Sequence, residues 1–180
     1  MIFLARHGET DYNAERRFQG QGAVPLNARG LEQARELARA AGREPPFAAL
    51  YASPILRARQ TAEVVAEALG LQPRFDARLA EHDVGEWQDR LFADVEAAEP
   101  ELWARWQAGG ADWAFPGGES LAQQQERVIA ALVDVTQAGE LPALVVCHRG
   151  VIRSALCHTR REGLAAYHGI AVPNGALVRL

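Results

Sequence analysis

The sequence contains no lysine, because all 19 of its basic residues are arginine. This absence excludes a Walker-type phosphate-binding lysine and Schiff-base chemistry, since both need the lysine side chain. Cysteine is scarce as well: only Cys147 and Cys157 occur, and their spacing forms no C-x-x-C pair. We interpret both as reduced thiols of the core, which is typical of a cytoplasmic protein.

Long apolar runs are also lacking. The N-terminal apolar run is interrupted at Arg6 and is too short for a signal peptide, and no later run approaches the length that spans a membrane. The net charge of −4 favours neither nucleic acid nor an anionic membrane as a partner. We therefore expect a cytoplasmic protein whose partner is a small molecule.

What the sequence does contain is a regular alternation of short apolar strands and helices. Strands are predicted at 1–5, 50–53, 73–77, 144–147 and 176–180, and helices at 28–41, 56–69, 92–98, 101–108 and 121–138, with another from 148 onward. Such alternation predicts a mainly parallel sheet with helices on both faces, a three-layer α/β/α sandwich. The 180 residues fit one domain, with a small helical insertion around 88–118.

Polar residues follow the predicted strands where each strand ends. Because the carboxyl ends of parallel strands meet at one edge of the sheet, these side chains should converge in space. They comprise Arg6 and His7, the segment from Ser53 to Arg57, Glu81, and His148 with Arg149. Imidazoles and guanidiniums with a single carboxylate predict an anion site without a metal ion. Gly8 is expected to let the backbone turn tightly and approach the ligand.

The same residues carry a resemblance to a known family, the histidine phosphatase superfamily, also called phosphoglycerate mutase-like. Four blocks occur in its order and at suitable spacing, which makes them jointly specific although each is weak alone. They are Arg6-His7-Gly8-Glu9-Thr10, the segment 53–62 with Ser53 and Arg57, the segment 79–87 with Glu81, and the segment 145–148 ending in His148. The segments 116–120 and 13–20 resemble secondary motifs of its smaller phosphatases.

The resemblance implies a role for each matching residue. His7 would be the nucleophile that becomes phosphohistidine, Arg6, Arg57 and His148 would hold the phosphoryl oxygens, and Glu81 would be the acid and base. Further phosphate or substrate contacts would come from Asn13, Gln19 and Gly20, and from the backbone at Arg149 and Gly150. No cofactor and no metal ion are implied.

The chemistry explains why these residue types are needed. Arginines and a second histidine offset the charge of a phosphomonoester and stabilise its transition state. His7 must be neutral to attack, and a hydrogen bond from its Nδ1–H to a carbonyl would fix that tautomer. Glu81 should first donate a proton to the leaving group, and nearby substrate phosphate gives a reason for a raised pKa. Asp83 and Glu86 compete with Glu81 on charge alone, so the choice depends on the resemblance.

Other polar and aromatic residues receive less specific interpretations. Arg16, Arg59, Arg160 and Arg161 are interpreted as solvated surface charge, and three histidines, His82, His158 and His168, have no assigned role. The four tryptophans are interpreted as packing for the inserted helices. As a less favoured alternative, Trp106 or Trp113 borders the pocket and stacks on an organic leaving group. His148 is alternatively a satisfied core histidine.

The chain departs from the family pattern at several positions. Arg149 replaces the usual glycine after the second histidine, Cys147 precedes that histidine, Ala23 replaces an acidic residue in the first loop, and the glycine after the Trp87 motif is replaced near Asp89. These departures concern contacts with the substrate. Arg149 either tightens phosphate binding or turns outward.

We interpret the protein as a metal-independent phosphatase of small metabolites such as sugar phosphates, phosphoglycerates or α-ribazole phosphate. A cofactor-dependent phosphoglycerate mutase is the first alternative, although such mutases are longer and carry a lysine and an arginine pair that this chain lacks. A non-catalytic phospho-ligand binder is the second. A metallohydrolase using His7, Glu9 and Asp11 is the third, disfavoured because Arg6 would repel a cation and the spacing is unlike H-E-x-x-H.

Overall fold

The computed structural model describes residues 1–180 and contains one sheet of five strands. The strands are β1 (Ile2–Arg6), β2 (Ala49–Ala52), β3 (Pro73–Phe75), β4 (Ala143–Cys147) and β5 (Leu177–Arg179). Their order across the sheet is β3-β2-β4-β1-β5, and only β5 runs antiparallel, beside β1. The expectation of a mainly parallel sheet is therefore confirmed. No helix is long and apolar enough to cross a membrane.

Seven α-helices connect and cover the strands. They are α1 (Asp11–Ala14), α2 (Ala28–Ala41), α3 (Leu56–Leu69), α4 (Phe92–Ala98), α5 (Pro100–Ala108), α6 (Leu121–Gln137) and α7 (Arg149–His158). Three short 3₁₀ helices lie at Ala77–Leu79, Gly85–Trp87 and Gly163–Gly169. Local caps define several starts: Asn27 accepts from the Gly30 N–H at α2, and Ser120 forms a capping box with Gln123 at α6.

The sheet separates two apolar clusters, which confirms the three-layer arrangement. On one face, Phe3, Ala5, Leu144 and Val146 pack with α2 and α3. On the other, Leu4, Val145 and Cys147 pack with α4, α5, α6 and α7. The two faces follow from the alternation of side chains along β1 and β4. Because both central strands are buried on both sides, they are continuous apolar runs.

The parallel pair β1 and β4 positions the site. Their register pairs Arg6 with Cys147, and the His7 N–H donates to the Cys147 carbonyl oxygen at 3.1 Å. Both strands therefore end at the same level, immediately before a histidine. β2 ends beside β4, where the Ser53 N–H donates to the Val146 carbonyl oxygen. These three strand ends carry His7, His148 and Ser53 to one edge of the sheet.

Candidate active site

His7 is almost fully buried and its imidazole is held at both nitrogens. Nδ1 lies 2.6 Å from the Gly8 carbonyl oxygen, and Nε2 lies 3.3 Å from Nε of Arg57. A carbonyl can only accept and a guanidinium can only donate, so the proton lies on Nδ1 and Nε2 carries the lone pair. Burial, and then the charges of Arg57 and Arg6, hold the pKa of His7 well below its usual range. The neutral tautomer expected for a nucleophile is the one that this geometry favours.

Arg57 comes from the first turn of α3 and is buried beside His7. Its two Nη atoms donate to the carbonyl oxygens of Gly22 at 3.0 Å and Gly20 at 2.8 Å, while Nε faces His7. Burial lowers the pKa of Arg57 to about 10. The guanidinium thus stays charged at neutral pH and connects the loop that contains Gly20 and Gly22 to α3. With three of its five N–H groups used, two remain for a ligand.

His148 is fully buried at the start of α7. Its ring centroid lies 5.2 Å from that of His7, and its Nε2 lies 2.8 Å from the Ser53 hydroxyl. The other nitrogen, Nδ1, has no hydrogen-bond partner although it is buried. Burial, and then the charge of Arg57, hold the pKa of His148 well below its usual range. The interpretation of His148 as a satisfied core residue is not supported, because one nitrogen lacks a partner.

Arg6 is buried at the end of β1, and only part of its guanidinium has a hydrogen-bond partner. One Nη donates to the Val172 carbonyl oxygen at 2.6 Å, whereas the buried Nε has no partner. Burial, and then repulsion by Arg149, lowers the pKa of Arg6 to about 9. Buried donors without partners are uncommon in folded proteins. The orphaned atoms of Arg6 and His148 both belong to this site, which indicates a place for an anionic ligand.

Glu81 follows the first 3₁₀ helix and presents its carboxylate to the site with its side chain 18% exposed. Oε2 accepts from the Gly150 N–H at 3.1 Å, and Oε1 accepts from the His82 N–H at 3.0 Å and from Nε2 of Gln124 at 3.2 Å. The Gln124 amide is itself oriented by the Ser154 hydroxyl at 2.8 Å. Asp83 and Glu86 are exposed and do not line the pocket. The geometry thus separates Glu81 from its two competitors.

The direction of the Glu81 pKa differs from the expectation. Burial raises this pKa, but attraction to the His82 ring when that ring is protonated, the Gly150 N–H and Arg57 together outweigh burial, so that the pKa lies below its usual range. The expectation of a raised pKa considered only the charge of the bound phosphate. In the free protein the carboxylate is ionised, because three donors and an arginine stabilise its charged form.

These groups line a cavity of about 320 Å³ with a strong excess of positive charge. Six arginines and one acidic residue, Glu81, line it, although the chain as a whole has a net charge of −4. Its arginines are Arg6, Arg16, Arg17, Arg57, Arg149 and Arg153. A cavity with this lining attracts anions and repels metal cations.

The predicted substrate-contacting residues all line the cavity, but their polar atoms are differently occupied. Oδ1 of Asn13 accepts from Asn174 at 3.1 Å, and Oε1 of Gln19 accepts from the Thr10 hydroxyl at 2.8 Å. Both amide nitrogens are left for a ligand. Gly20 has a φ of +51°, and its carbonyl oxygen accepts from Arg57. The Gly150 N–H is occupied by Glu81.

Gly8 is needed for a different reason from the one expected. A Cβ at Gly8 would lie 2.2 Å from the Gly30 carbonyl oxygen, and a Cβ at Gly30 would lie 2.0 Å from the Glu9 carbonyl oxygen. The close approach is therefore between the turn after β1 and the first turn of α2, not between backbone and ligand. This contact fixes the turn that carries the Gly8 carbonyl acceptor of His7.

The structure adds cavity residues that the sequence did not single out. Arg16, which the sequence predicts to be surface charge, is exposed but lines the cavity, and Arg153 from α7 lines it as well. His82, left without a role, is buried against Glu81, and its Nδ1 lies 3.3 Å from the Tyr167 hydroxyl. The spacing of Arg153 four residues after Arg149 is a signal that helical periodicity offers. Nothing in the sequence near Tyr167 resembles a motif.

The tryptophans divide between the two interpretations. Trp87, Trp106 and Trp113 are buried, and Trp103 packs against Trp106 with ring centroids 4.8 Å apart. Trp106 also lines the cavity, whereas Trp113 does not. Packing is therefore the common role, and only Trp106 combines it with a place in the cavity wall.

Comparison with known proteins agrees with this geometry. The family model of the histidine phosphatase superfamily, branch 1, matches residues 2–180. The probable phosphoglycerate mutase GpmB of Salmonella choleraesuis is 40% identical over 147 residues, which cover 80% of this chain and 67% of that protein. The corresponding protein of Citrobacter koseri is 41% identical over the same shares.

Solved structures give the same result at the level of the fold. The mycobacterial glucosyl-3-phosphoglycerate phosphatase in complex with VO3 superposes with a TM-score of 0.89 at 29% identity, covering 98% of this chain and 88% of that one. A phosphoglycerate mutase from Thermus thermophilus superposes with a TM-score of 0.74 at 35% identity, covering 98% and 90%. The similar proteins therefore carry both phosphatase and mutase names.

Proposed function

The chain belongs to the histidine phosphatase superfamily, and from this premise we propose that it is a phosphomonoesterase that acts through a phosphohistidine and needs no metal ion. Its substrates are small phosphorylated metabolites such as sugar phosphates, phosphoglycerates or α-ribazole phosphate. The observation that carries the proposal is the lone pair on Nε2 of His7, which lies in the cavity wall with Arg57 as its donor while Nδ1 is tied to Gly8. That arrangement is what nucleophilic attack on phosphorus requires.

In the first step, Nε2 of His7 forms a bond to phosphorus as the bond from phosphorus to the ester oxygen breaks. Arg57 now donates to His7, so binding of a phosphoryl oxygen replaces this contact and frees the lone pair. The unpartnered Nε of Arg6 and Nδ1 of His148 are suitably placed donors for the other oxygens. Protonated Glu81 gives its proton to the leaving alkoxide.

In the second step, the Glu81 carboxylate takes a proton from a water molecule, whose oxygen attacks the phosphorus. The bond between phosphorus and Nε2 breaks, the electron pair returns to His7, and inorganic phosphate leaves. The hydrogen bond from Nδ1 to Gly8 keeps the ring in one orientation through both steps. The network of Gly150, Gln124 and Ser154 does the same for Glu81.

We infer independence from a metal ion from the side chains that line the cavity. Arginines outnumber carboxylates six to one around the cavity, and their charge supplies the stabilisation that a cation supplies elsewhere. Glu9, part of the metallohydrolase alternative, accepts instead from Nδ2 of Asn27 at 3.1 Å. We expect phosphatase activity to persist in the presence of a chelator.

Mutase activity is the second candidate, because several similar proteins bear that name. A mutase must exclude water from the phosphohistidine until the phosphoryl group returns to substrate. The cavity of this chain is lined at its mouth by the exposed Arg16, and water can enter there. This openness supports hydrolysis over transfer.

The test is a panel of phosphomonoesters incubated with the protein and a chelator, with released phosphate measured against phosphate moved between positions. We expect release, and no turnover by the His7→Ala variant, in which the nucleophile is missing. The exposed Arg160→Gln variant serves as the matched control with unchanged activity. Transfer without release would support the mutase, and activity restored only by a divalent cation would support a metalloenzyme.

A further inference from the structure

We propose that Arg149 and Arg153 form a second anion subsite, so that the preferred substrate carries another oxyanion, a carboxylate or a second phosphoryl group, besides the phosphoryl group that reacts. The proposal rests on the phosphatase function above and specifies its substrate class. It is carried by guanidiniums that line the same cavity as His7 but that the phosphoryl chemistry leaves unused.

The two arginines lie on one face of α7, four residues apart. Neighbours at this spacing are separated by one turn, about 6 Å along the helix axis. Arg153 is anchored, since its Nε donates to the Ile170 carbonyl oxygen at 2.8 Å and its guanidinium lies 5.4 Å from the centre of the Tyr167 ring. Arg149 forms no side-chain hydrogen bond and no ion pair within the protein. One fixed and one free guanidinium therefore face the cavity.

One phosphoryl group does not balance the positive charge of the arginines that line the cavity. A bound phosphate dianion balances Arg6 and Arg57. Arg16, Arg17, Arg149 and Arg153 then remain. Of these, Arg17 is paired with Glu15 at 3.1 Å, and the one carboxylate of the lining, Glu81, is attracted to Arg57. Repulsion by Arg149 also lowers the pKa of both Arg6 and Arg153, after the larger effect of burial. An oxyanion between Arg149 and Arg153 would relieve this repulsion and accept bidentate hydrogen bonds.

The size of the cavity fits a ligand with two separated anionic groups. Its volume of about 320 Å³ is many times the ~30 Å³ that one water molecule occupies in the liquid. A phosphoryl group beside His7 thus leaves room in the cavity for a short carbon frame. Phe115 and Trp106 give that space an apolar wall. A compact frame with an oxyanion at each end matches the polar and apolar parts together.

The experiment compares matched substrates in which only the second oxyanion differs. Glycerol 3-phosphate is compared with 3-phosphoglycerate, and fructose 6-phosphate with fructose 1,6-bisphosphate, by kcat/KM for phosphate release. We expect the substrate with the second oxyanion to be favoured about tenfold or more in at least one pair. The Arg149→Gln variant should lower that ratio by about tenfold, Arg149→Lys should keep part of it, and Arg160→Gln should leave it unchanged. The preferred pair identifies the oxyanion as carboxylate or phosphoryl.

A binding measurement separates failure of the subsite from failure of the phosphatase. Calorimetric titration of the His7→Asn variant with glycerol 3-phosphate and 3-phosphoglycerate, and with the two fructose phosphates, gives affinity ratios without turnover. Ratios near one in every pair, or ratios that survive Arg149→Gln in a folded variant, would overturn the subsite whatever the activity. Absence of phosphate release from every ester would instead overturn the phosphatase function. The affinity ratios would still test the subsite in that case.

Discussion

At the scale of single residues, the protonation states of His7 and Glu81 determine where the proton for the leaving group must come from. His7 is neutral and Glu81 is ionised in the free protein, because burial dominates at His7 while hydrogen bonds and Arg57 outweigh burial at Glu81. The free site therefore lacks the proton that the leaving group needs. A phosphomonoester can bring it, since its second pKa is about 6 and its monoanion carries one proton. Transfer to Glu81 follows when like charge raises the pKa of that carboxyl.

These protonation states predict how kcat/KM for alkyl phosphates depends on pH. We expect kcat/KM to be nearly constant from about pH 5 to 6, and to fall up to tenfold per pH unit above about 6, as the monoanion is lost. The measurement is kcat/KM for glycerol 3-phosphate across pH 5 to 8 at constant ionic strength. A rate that stays constant to pH 8 would contradict the assignment of Glu81 as the acid.

The Glu81→Gln variant supplies the control for this prediction. General acid catalysis contributes roughly 10²–10⁴-fold, so the variant should lose a factor of this order with glycerol 3-phosphate. It should lose much less with p-nitrophenyl phosphate, whose leaving group departs without a proton. Equal losses with both esters would indicate that Glu81 only binds substrate.

At the scale of elements, the turn after β1 and the start of α2 form one unit. Gly8 and Gly30 approach so closely that neither position has room for a Cβ. The Glu9 N–H donates to Oε1 of Gln33 in α2 at 2.7 Å, and the Asn27 N–H donates to the Glu9 carbonyl oxygen. The Gly8 carbonyl, which orients His7, is therefore positioned by contact with α2.

This contact reverses the usual effect of replacing a helical glycine. Gly→Ala inside a helix normally stabilises by about 0.5–1 kcal/mol. The Gly30→Ala variant should instead destabilise by about 1–3 kcal/mol, because its Cβ would force the backbone at Glu9 to move. Urea denaturation measures the change, and kcat should fall with it as the turn shifts. Gly169→Ala, with open space around the Cβ position, should change stability little; equal effects in both variants would refute the argument.

The elements were largely predictable from the sequence, whereas the details of the site were less so. Periodicity and caps predicted α2 and α3 at their observed bounds, and strand ends predicted which residues meet. The strand at 73–77 is shorter than predicted, ending at Phe75. The partners of Arg6 and the environment of Glu81 depend on residues far along the chain: Val172 lies 166 positions from Arg6. No local pattern encodes such a contact, so neither the unpartnered Nε of Arg6 nor the lowered pKa of Glu81 was predictable.

At the scale of the whole molecule, buried neutral histidines couple stability to pH. Burial lowers the pKa of His82 to about 4, and it holds the pKa values of His7 and His148 well below their usual range. Histidines titrate near 6.5 in the unfolded chain. Between these values the unfolded state binds more protons than the folded state, so stability rises with pH through this window and is lost as pH falls.

We therefore expect the free energy of unfolding to fall as pH is lowered from about 6.5 to 4. Each buried histidine contributes up to about 1.4 kcal/mol per pH unit. Urea denaturation at several pH values measures the slope. The His82→Gln variant should lower this slope by up to about 1.4 kcal/mol per pH unit. A substitution of the exposed His158 should leave the slope unchanged. A slope near zero in the unmodified protein would contradict neutral burial of these imidazoles.

The register between β1 and β4 has a consequence for the evolution and engineering of this site. Successive side chains of a strand point to opposite faces, so His7 lies toward α3 while its neighbour Arg6 lies toward α7. Deleting a single residue from β4 would shift His148 along the edge by ~3.3 Å and turn it over. The side chains of His7 and His148 would then lie on opposite faces of the sheet, although every residue of the motifs would be retained. The loss of one residue from β4 would therefore disrupt the proposed site without removing any of its side chains.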